Sequence, residues 1–157
     1  QLLSADDILL RPQGGNDGIK IIGAGAVELY HNNSKRFETT SGGVSVTGDM
    51  TASGNVTAYS DARLKTNVNT INDALSIVGK LRGVSFDWKE TGKPSIGVIA
   101  QEVEEVIPEV VLTNLNPDPS TGETTEVKSV DYGKIVGVLI NAINELKAEV
   151  DELKGGK

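Results

Sequence analysis

The sequence has no cysteine, one histidine and only six aromatic residues among its 157 residues. The absence of cysteine excludes disulfide scaffolds, thiolate metal sites and cysteine nucleophiles. The single histidine, His31, excludes sites that need a histidine pair and is the only imidazole base available. Most familiar catalytic arrangements are therefore excluded before any motif is considered.

Charge and hydropathy exclude further classes of protein. The net charge of −7 argues against a nucleic-acid partner, which would require a basic face. No apolar run approaches the roughly 20 residues of a membrane span, and residues 1–15 lack a signal-peptide pattern. We predict no metal, no cofactor and no membrane insertion. Because the chain opens at Gln1 and its only methionine is Met50, we expect a C-terminal piece of a longer protein.

Residues 1–59 have the composition of a turn-rich β region, with nine glycines and few long apolar side chains. Short apolar runs at 8–10, 19–22 and 27–30 each end at Gly, Asn or Asp, which predicts short strands and turns. The stretch 27–39 predicts a β-hairpin with its turn at 31–34.

A six-residue period follows the hairpin. Glycines recur from Gly42 to Gly54, and two positions after each stands an apolar residue: Val44, Met50 or Val56. Such a period is typical of a β-solenoid or an intertwined β-prism. One such chain has too little apolar surface to offset about 1–2 kcal/mol of backbone entropy per residue. We therefore interpret residues 1–59 as part of an elongated homo-oligomeric shaft; a flexible linker is the alternative.

Residues 60–157 have the pattern of an α+β module. A capping-box-like start at 70–73 predicts a helix there, and a second helix is predicted over 100–106. Strands are predicted at 84–88, 96–99, 110–112 and 127–130, with a polar loop over 116–122. Phe86 and Trp88 share one strand face, so we expect both in the core.

The terminal segment carries an apolar heptad pattern. Its two positions are occupied by Val136, Ile143 and Val150 and by Leu139, Leu146 and Leu153. This pattern predicts a coiled-coil seam of about two and a half heptads. β-Branched residues followed by leucine favour two strands in simple coiled coils. The alternative is an amphipathic helix that docks on its own domain.

The junction between the halves contains Ser60 and Lys65. A Ser–Lys pair is the one nucleophile–base couple open to a protein without a usable cysteine or histidine. On a helix the two would lie about 140° apart, so chemistry between them requires a turn or a lysine from a neighbouring chain. The base must be neutral, a form favoured by burial and by positive charge such as that of Arg63. Asp61 would oppose this if close, so it more naturally binds backbone N–H groups or Arg63.

The pair alone is a weak signal, but an ordered series of motifs accompanies it. The motifs are SDARLK at 60–65, FDW at 86–88, GVIAQEV at 97–103, PEVV at 108–111, VDY at 130–132, and a terminal helix with Ala142, Ile143, Glu145 and Leu146. The series resembles the C-terminal intramolecular chaperone domain of phage tailspikes and tail fibres, the endosialidase type, which also occurs in myelin regulatory factor. It covers essentially all of residues 60–157.

This resemblance implies a trimeric folding template that registers the shaft and then releases itself by self-cleavage. It implies Ser60 as the nucleophile, Lys65 as the general base and the Tyr59–Ser60 bond as the scissile bond, and Asp61 and Arg63 also match the motif. Gln101, at a helix start, is a further supporting candidate, with capping or an interchain hydrogen bond as the alternative.

The predicted fold is α+β and homotrimeric: a Gly-rich shaft (triple β-helix or β-prism) over 1–59 and a chaperone autoprocessing domain over 60–157. The expected partners are the other chains, the upstream fibre or tailspike domains, and a host-surface receptor bound by the shaft or those domains. The shaft would belong to the virion and the released domain to the host cytoplasm. The alternative is a trimeric structural or adhesive fibre tip that never cleaves.

Overall fold

The computed structural model describes residues 6–12, 14–117 and 123–156. Backbone contacts divide the chain into two units, Gln1–Asp61 and Ala62–Lys157. Within the described ranges, no helix combines the length and the apolar character needed to cross a membrane.

Five short strands of the first unit form one antiparallel sheet in chain order. They are β1 (Ile8–Leu10), β2 (Ile19–Ile21), β3 (Val27–His31), β4 (Ser34–Thr40) and β5 (Gly43–Val46). The strands predicted from the apolar runs are confirmed. The predicted hairpin is β3–β4, and its two-residue turn has Asn32 and Asn33 at φ 48° and 60°. Asparagine tolerates this left-handed backbone, and such turns match the twist of paired strands.

The six-residue repeat is exposed in a single chain. Residues 47–61 contain no strand or helix. Val44, Met50 and Val56 are 60%, 73% and 78% exposed. The apolar member of each repeat therefore has no cover within its own chain.

Two carboxylates face each other across the hairpin. Glu28 lies opposite Glu38 in the strand register, and the Lys35 ammonium bridges them, 3.2 Å from Glu28 Oε1. Tyr30 Oη donates a hydrogen bond to Glu28 Oε2 at 2.6 Å. This bond, with a smaller contribution from Lys35, lowers the pKa of Glu28, which is only 9% exposed. The same bond raises the pKa of Tyr30 to about 12.

The second unit combines three helices with two separate two-stranded antiparallel sheets, so the predicted α+β class is confirmed. In chain order the elements are α1 (Ala74–Gly79), β6 (Val84–Asp87), β7 (Pro94–Gly97), α2 (Ala100–Glu104), β8 (Val111–Pro117), β9 (Thr124–Val130) and α3 (Tyr132–Gly155). Residues 118–122 of the predicted polar loop lie outside the described residues.

The core of the second unit lies between α1, α2 and α3. Its buried members are Ala74, Val103, Ile107, Val110, Val138 and Ala142. Helix α2 ends at Glu104, two residues before the predicted bound, and Pro108 opens a separate 3-10 turn at Pro108–Val110. Two ion pairs on the surface tie α2 to its neighbours: Arg82 with Glu102, and Lys128 with Glu104.

Two expectations about this unit are wrong. The first helix begins at Ala74, later than the capping-box pattern predicted, because Asp73 adopts a left-handed backbone (φ 54°) and makes no side-chain cap. Trp88 is 57% exposed and touches the edge of Phe86, with ring centroids 5.2 Å apart. Ile96 is exposed as well, because a two-stranded sheet leaves side chains on its faces without cover.

We expect Lys35→Met to destabilise the first unit by about 1 kcal/mol at pH 7, since it removes the cation that bridges the two facing carboxylates. The lowered pKa of Glu28, which is caused mainly by the Tyr30 hydrogen bond and less by Lys35, means that these contacts with its carboxylate stabilise the fold above the ordinary carboxyl pKa. This contribution is lost as the pH falls through the lowered pKa. The difference from wild type should therefore shrink at pH 3. Urea unfolding at pH 7 and at pH 3, followed by circular dichroism, measures this difference in the free energy of unfolding.

Arg36→Met is the matched control, since Arg36 is exposed on the same strand. It removes the same charge and should change stability by less than about 0.5 kcal/mol. If Lys35→Met and Arg36→Met lowered the free energy of unfolding equally, a specific role for Lys35 would be contradicted.

Candidate functional site

The predicted cleavage point lies in exposed chain. Tyr59 and Ser60 are exposed near the end of the first unit. The second unit begins with a 3-10 turn at Ala62–Leu64, in which the Lys65 N–H donates to the Ala62 carbonyl at 3.1 Å. The Lys65 side chain is exposed too. We call residues 60–65 the junction motif; its side chains are accessible, and a turn lies between the serine and the lysine.

The segment after the junction motif is fastened to α3. The Asn69 side chain donates to the Asn67 carbonyl at 2.9 Å, which forms a local turn. Asn141 Nδ2 on α3 then donates to the Ile71 carbonyl at 3.2 Å. The Ile71 side chain lies against Gly137, where a Cβ would be 3.9 Å from Ile71 Cδ1. Ile71 is thus held through both its side chain and its backbone.

The start of α1 is capped by a residue about 70 positions away. The N–H groups of Ala74 and Leu75 donate to the two carboxylate oxygens of Glu145, at 3.0 and 2.7 Å. The first N–H groups of a helix have no partner within the helix, and a carboxylate also interacts favourably with the positive end of the helix dipole. Sequence analysis did not identify Glu145 as a cap, because capping rules consider only residues next to the helix start.

Helix α3 has two distinct faces. On one face Val138 and Ala142 are buried against the domain core. The predicted seam residues lie on another face and are between 37% and 78% exposed: Val136, Leu139, Ile143, Leu146, Val150 and Leu153. We call this second face the seam. The helix therefore docks on its own domain without using its heptad residues.

Gln101 lies in the first turn of α2, away from the core. It borders an open, largely apolar groove of about 990 Å³ that Phe86, Trp88, Val127 and Tyr132 also line. Tyr132, the first residue of α3, places its hydroxyl where a Cβ on Gly97 would be only 2.8 Å away. Among the residues described, no group of three or more His, Asp or Glu side chains is arranged to hold a metal ion.

Comparison with known proteins identifies the class. Residues 60–112 match the family model described as the chaperone of endosialidase. The match begins at Ser60, the first residue of the junction motif, and includes Lys65 and Gln101. Residues 60–112 are therefore similar to this family, and the resemblance indicated by the motifs is confirmed over that segment.

Relatives that match most of the chain are tail-fibre proteins. Long tail fiber protein Gp37 of Enterobacteria phage K3 is 32% identical over 142 residues, which cover 87% of this chain and 11% of that protein. The protein of the same name from phage T2 is also 32% identical, with 10% of its length covered. That of Salmonella phage S16 is 26% identical over 156 residues, with 20% covered. The chain thus spans a small part of these relatives, and it contains a chaperone-type domain related to phage tail fibres.

The two faces of α3 can be separated experimentally at Ala142. We expect Ala142→Leu to destabilise the second unit by about 1–3 kcal/mol, because the larger side chain does not fit between α3 and the core. Denaturant unfolding at fixed chain concentration, followed by the fluorescence of Trp88, the only tryptophan, measures this change.

Ala148→Leu, the same substitution at an exposed position of the same helix, serves as the control and should stay within about 0.5 kcal/mol of wild type. A loss of stability at position 148 as large as that at 142 would contradict the assignment of the docked face.

Proposed function

We propose that residues 60–157 act as an intramolecular chaperone. Three copies associate through the seam, align the shaft segments that precede them, and then separate from the shaft by self-cleavage at the Tyr59–Ser60 bond. The family match and the tail-fibre relatives support the chaperone class. The trimer and the cleavage are our inferences from the sequence and from the geometry of one chain.

The exposed seam is the observation that carries this proposal. Six large apolar side chains at heptad spacing face away from their own domain. A folded protein rarely leaves such a continuous apolar stripe in water, and the heptad pattern matches other copies of the same helix. The interpretation that this stripe docks on its own domain is disfavoured, because Val138 and Ala142 on a different face make that contact.

Three strands are favoured over two by the resemblance, whereas the heptad residues alone favour two. A trimer also fits the first unit, whose repeat leaves Val44, Met50 and Val56 exposed. We propose that these side chains become covered when three chains form the intertwined shaft.

The proposed cleavage needs only groups of the junction motif and water. Lys65 Nζ takes the proton of Ser60 Oγ as the oxygen attacks the carbonyl carbon of Tyr59. The peptide C–N bond then breaks and the Ser60 nitrogen takes up a proton, which leaves an ester between Tyr59 and Ser60 Oγ. Water attacks this ester and releases a Tyr59 carboxylate and a Ser60 with its free amine and hydroxyl. Asp61, Arg63 and Gln101 are proposed to support the site.

Association would supply what a single chain lacks for this chemistry. A lysine base must be neutral, and burial favours the neutral form. Lys65 is exposed in one chain, so we propose that neighbouring chains bury it in the trimer and that the lysine acts within or across the interface. Cleavage would then follow assembly, because the site is complete only in the assembled state.

Alignment of the shaft explains why a fibre would carry such a domain. Pairing strands from three separate chains is slow, since the entropy of bringing them together must be overcome before any contact forms. A domain that associates first raises the effective concentration of the three shaft segments. Removal of the domain afterwards makes the assembled shaft kinetically stable, because the aligning element is gone.

The relatives are long tail fiber proteins of phages, which supports our proposal that the shaft belongs to the virion. The domain released by cleavage would remain in the host cytoplasm, where fibres are synthesised. Binding of a host-surface receptor is assigned to the shaft or to upstream fibre domains.

In the Ser60→Ala background, which stays uncut, we expect the chain with a wild-type seam to sediment and scatter light as three chains and the Ile143→Asp variant as one chain. A charge at a seam position would be buried among apolar side chains on association, at a cost of several kcal/mol per chain. Asn144→Asp adds the same charge at an exposed position off the seam and should remain trimeric. A single-chain mass for the chain with a wild-type seam would contradict the proposed assembly.

Cleavage is tested by the intact mass of freshly expressed protein. We expect two fragments that meet at Tyr59 and Ser60, with a summed mass one water above that of the intact chain. Ser60→Ala removes the nucleophile and should give a single uncut chain. Lys65→Arg keeps the positive charge but removes the base, since arginine is always protonated, and should also stay uncut.

Ser53→Ala, at an exposed serine outside the junction motif, is the control and should be cut as wild type is. An uncut wild-type chain that is nevertheless trimeric would exclude self-cleavage and would support a fibre tip that only assembles.

A further inference from the structure

The terminal helix holds the chain shortly after the junction motif. Asn141 and Glu145 lie one turn apart on α3, and between them they bind the Ile71 carbonyl and the N–H groups of Ala74 and Leu75. These are long-range contacts, made by side chains 70 or 71 residues away in sequence. They fix where the polypeptide that leaves the junction motif enters the domain.

The start of α1 depends on this contact because it has no local alternative. Asp73, the residue at the N-cap position, has a left-handed backbone and makes no side-chain hydrogen bond to the helix. The helix has six residues, too few to be stable without tertiary contacts. The Glu145 carboxylate therefore supplies the cap that the first turn of α1 lacks locally.

The segment that connects the junction motif to Ile71 is short, and its side chains are not buried in the core. Residues 62–73 are all exposed. The six-residue step from Lys65 to Ile71 spans at most about 20 Å when fully extended, and the turn between Asn67 and Asn69 shortens it further. If Ile71, which is bound to α3, moved, the range of positions that the junction motif can reach would therefore change.

We propose that Glu145 is a positioning residue for self-cleavage, an inference that rests on the proposed function. Its carboxylate fixes the start of α1 on α3, the helix whose exposed seam is proposed to bind the other chains. The same rigid helix would thereby set the place of the junction motif relative to the neighbouring chains that complete its site. Asn141 supports this role through the Ile71 carbonyl. Neither side chain is proposed to touch the reacting atoms.

The test compares the rate of self-cleavage in wild type, Glu145→Gln and Glu152→Gln. In Glu145→Gln the neutral amide can accept only one of the two N–H groups well, and we expect cleavage to slow about fivefold to tenfold, whereas the trimer mass stays that of wild type. Glu152→Gln removes the same charge from an exposed position about two turns further along α3 and should cleave at the wild-type rate.

A second measurement separates positioning from general loss of structure. In a Ser60→Ala background, which stays uncut, Glu145→Gln should lose hydrogen-exchange protection at Ala74 and Leu75 and keep it in the middle of α3. Glu145→Asp, which retains the charge, should recover part of the cleavage rate.

If Glu145→Gln folds poorly, Asn141→Ala tests the same attachment to α3, because it removes only the hydrogen bond to the Ile71 carbonyl. We expect self-cleavage of this variant to slow about twofold to threefold. Wild-type rates in both variants would overturn the positioning role and leave the proposed self-cleavage intact. A slowdown that matches a loss of trimer would also overturn it. An uncut wild-type trimer would instead overturn the self-cleavage itself, together with the inference built on it.

Discussion

The second unit depends on the docking of α3 against α1 through Val138 and Ala142. This contact closes a small core, and it brings Glu145 to the backbone of a helix that cannot cap itself. An α-helix turns by about 100° per residue, so the docked stripe and the heptad stripe occupy different faces of the same cylinder. One element can therefore complete the fold of its own domain and still present an uncovered apolar seam.

Docking would also prepare the seam for the proposed association. An isolated helix with two and a half heptads is marginally stable, and three free helices would lose much conformational entropy on joining. When α3 is already folded against α1 and α2, most of that entropy has been lost during folding of each chain. The association step then gains the burial of the seam at a smaller entropic cost, which favours a domain that assembles before the shaft does.

The features that could be predicted from the sequence are those set by neighbouring residues. The β3–β4 hairpin follows from two asparagines between strand-forming runs, and the seam follows from a heptad period. The cap by Glu145 could not be predicted, because it joins positions about 70 residues apart. The capping-box-like pattern at 70–73 had already offered a local cap for this helix. Trp88 was assigned to the core from strand alternation, but alternation identifies a face and not whether anything covers it.

Both units leave apolar side chains exposed in a single chain, but for different reasons. The seam is a stripe on a rigid helix, so its partner surface exists as soon as the second unit folds. The repeat around Met50 contains no helix or strand, so its apolar side chains do not form a preformed surface. Their burial requires the backbone to become ordered while the chains pair. The first process has the lower entropic barrier and the second the higher. This asymmetry would give the proposed assembly a physical order, in which the C-terminal domain associates first and supplies the alignment that residues 47–59 cannot establish for themselves.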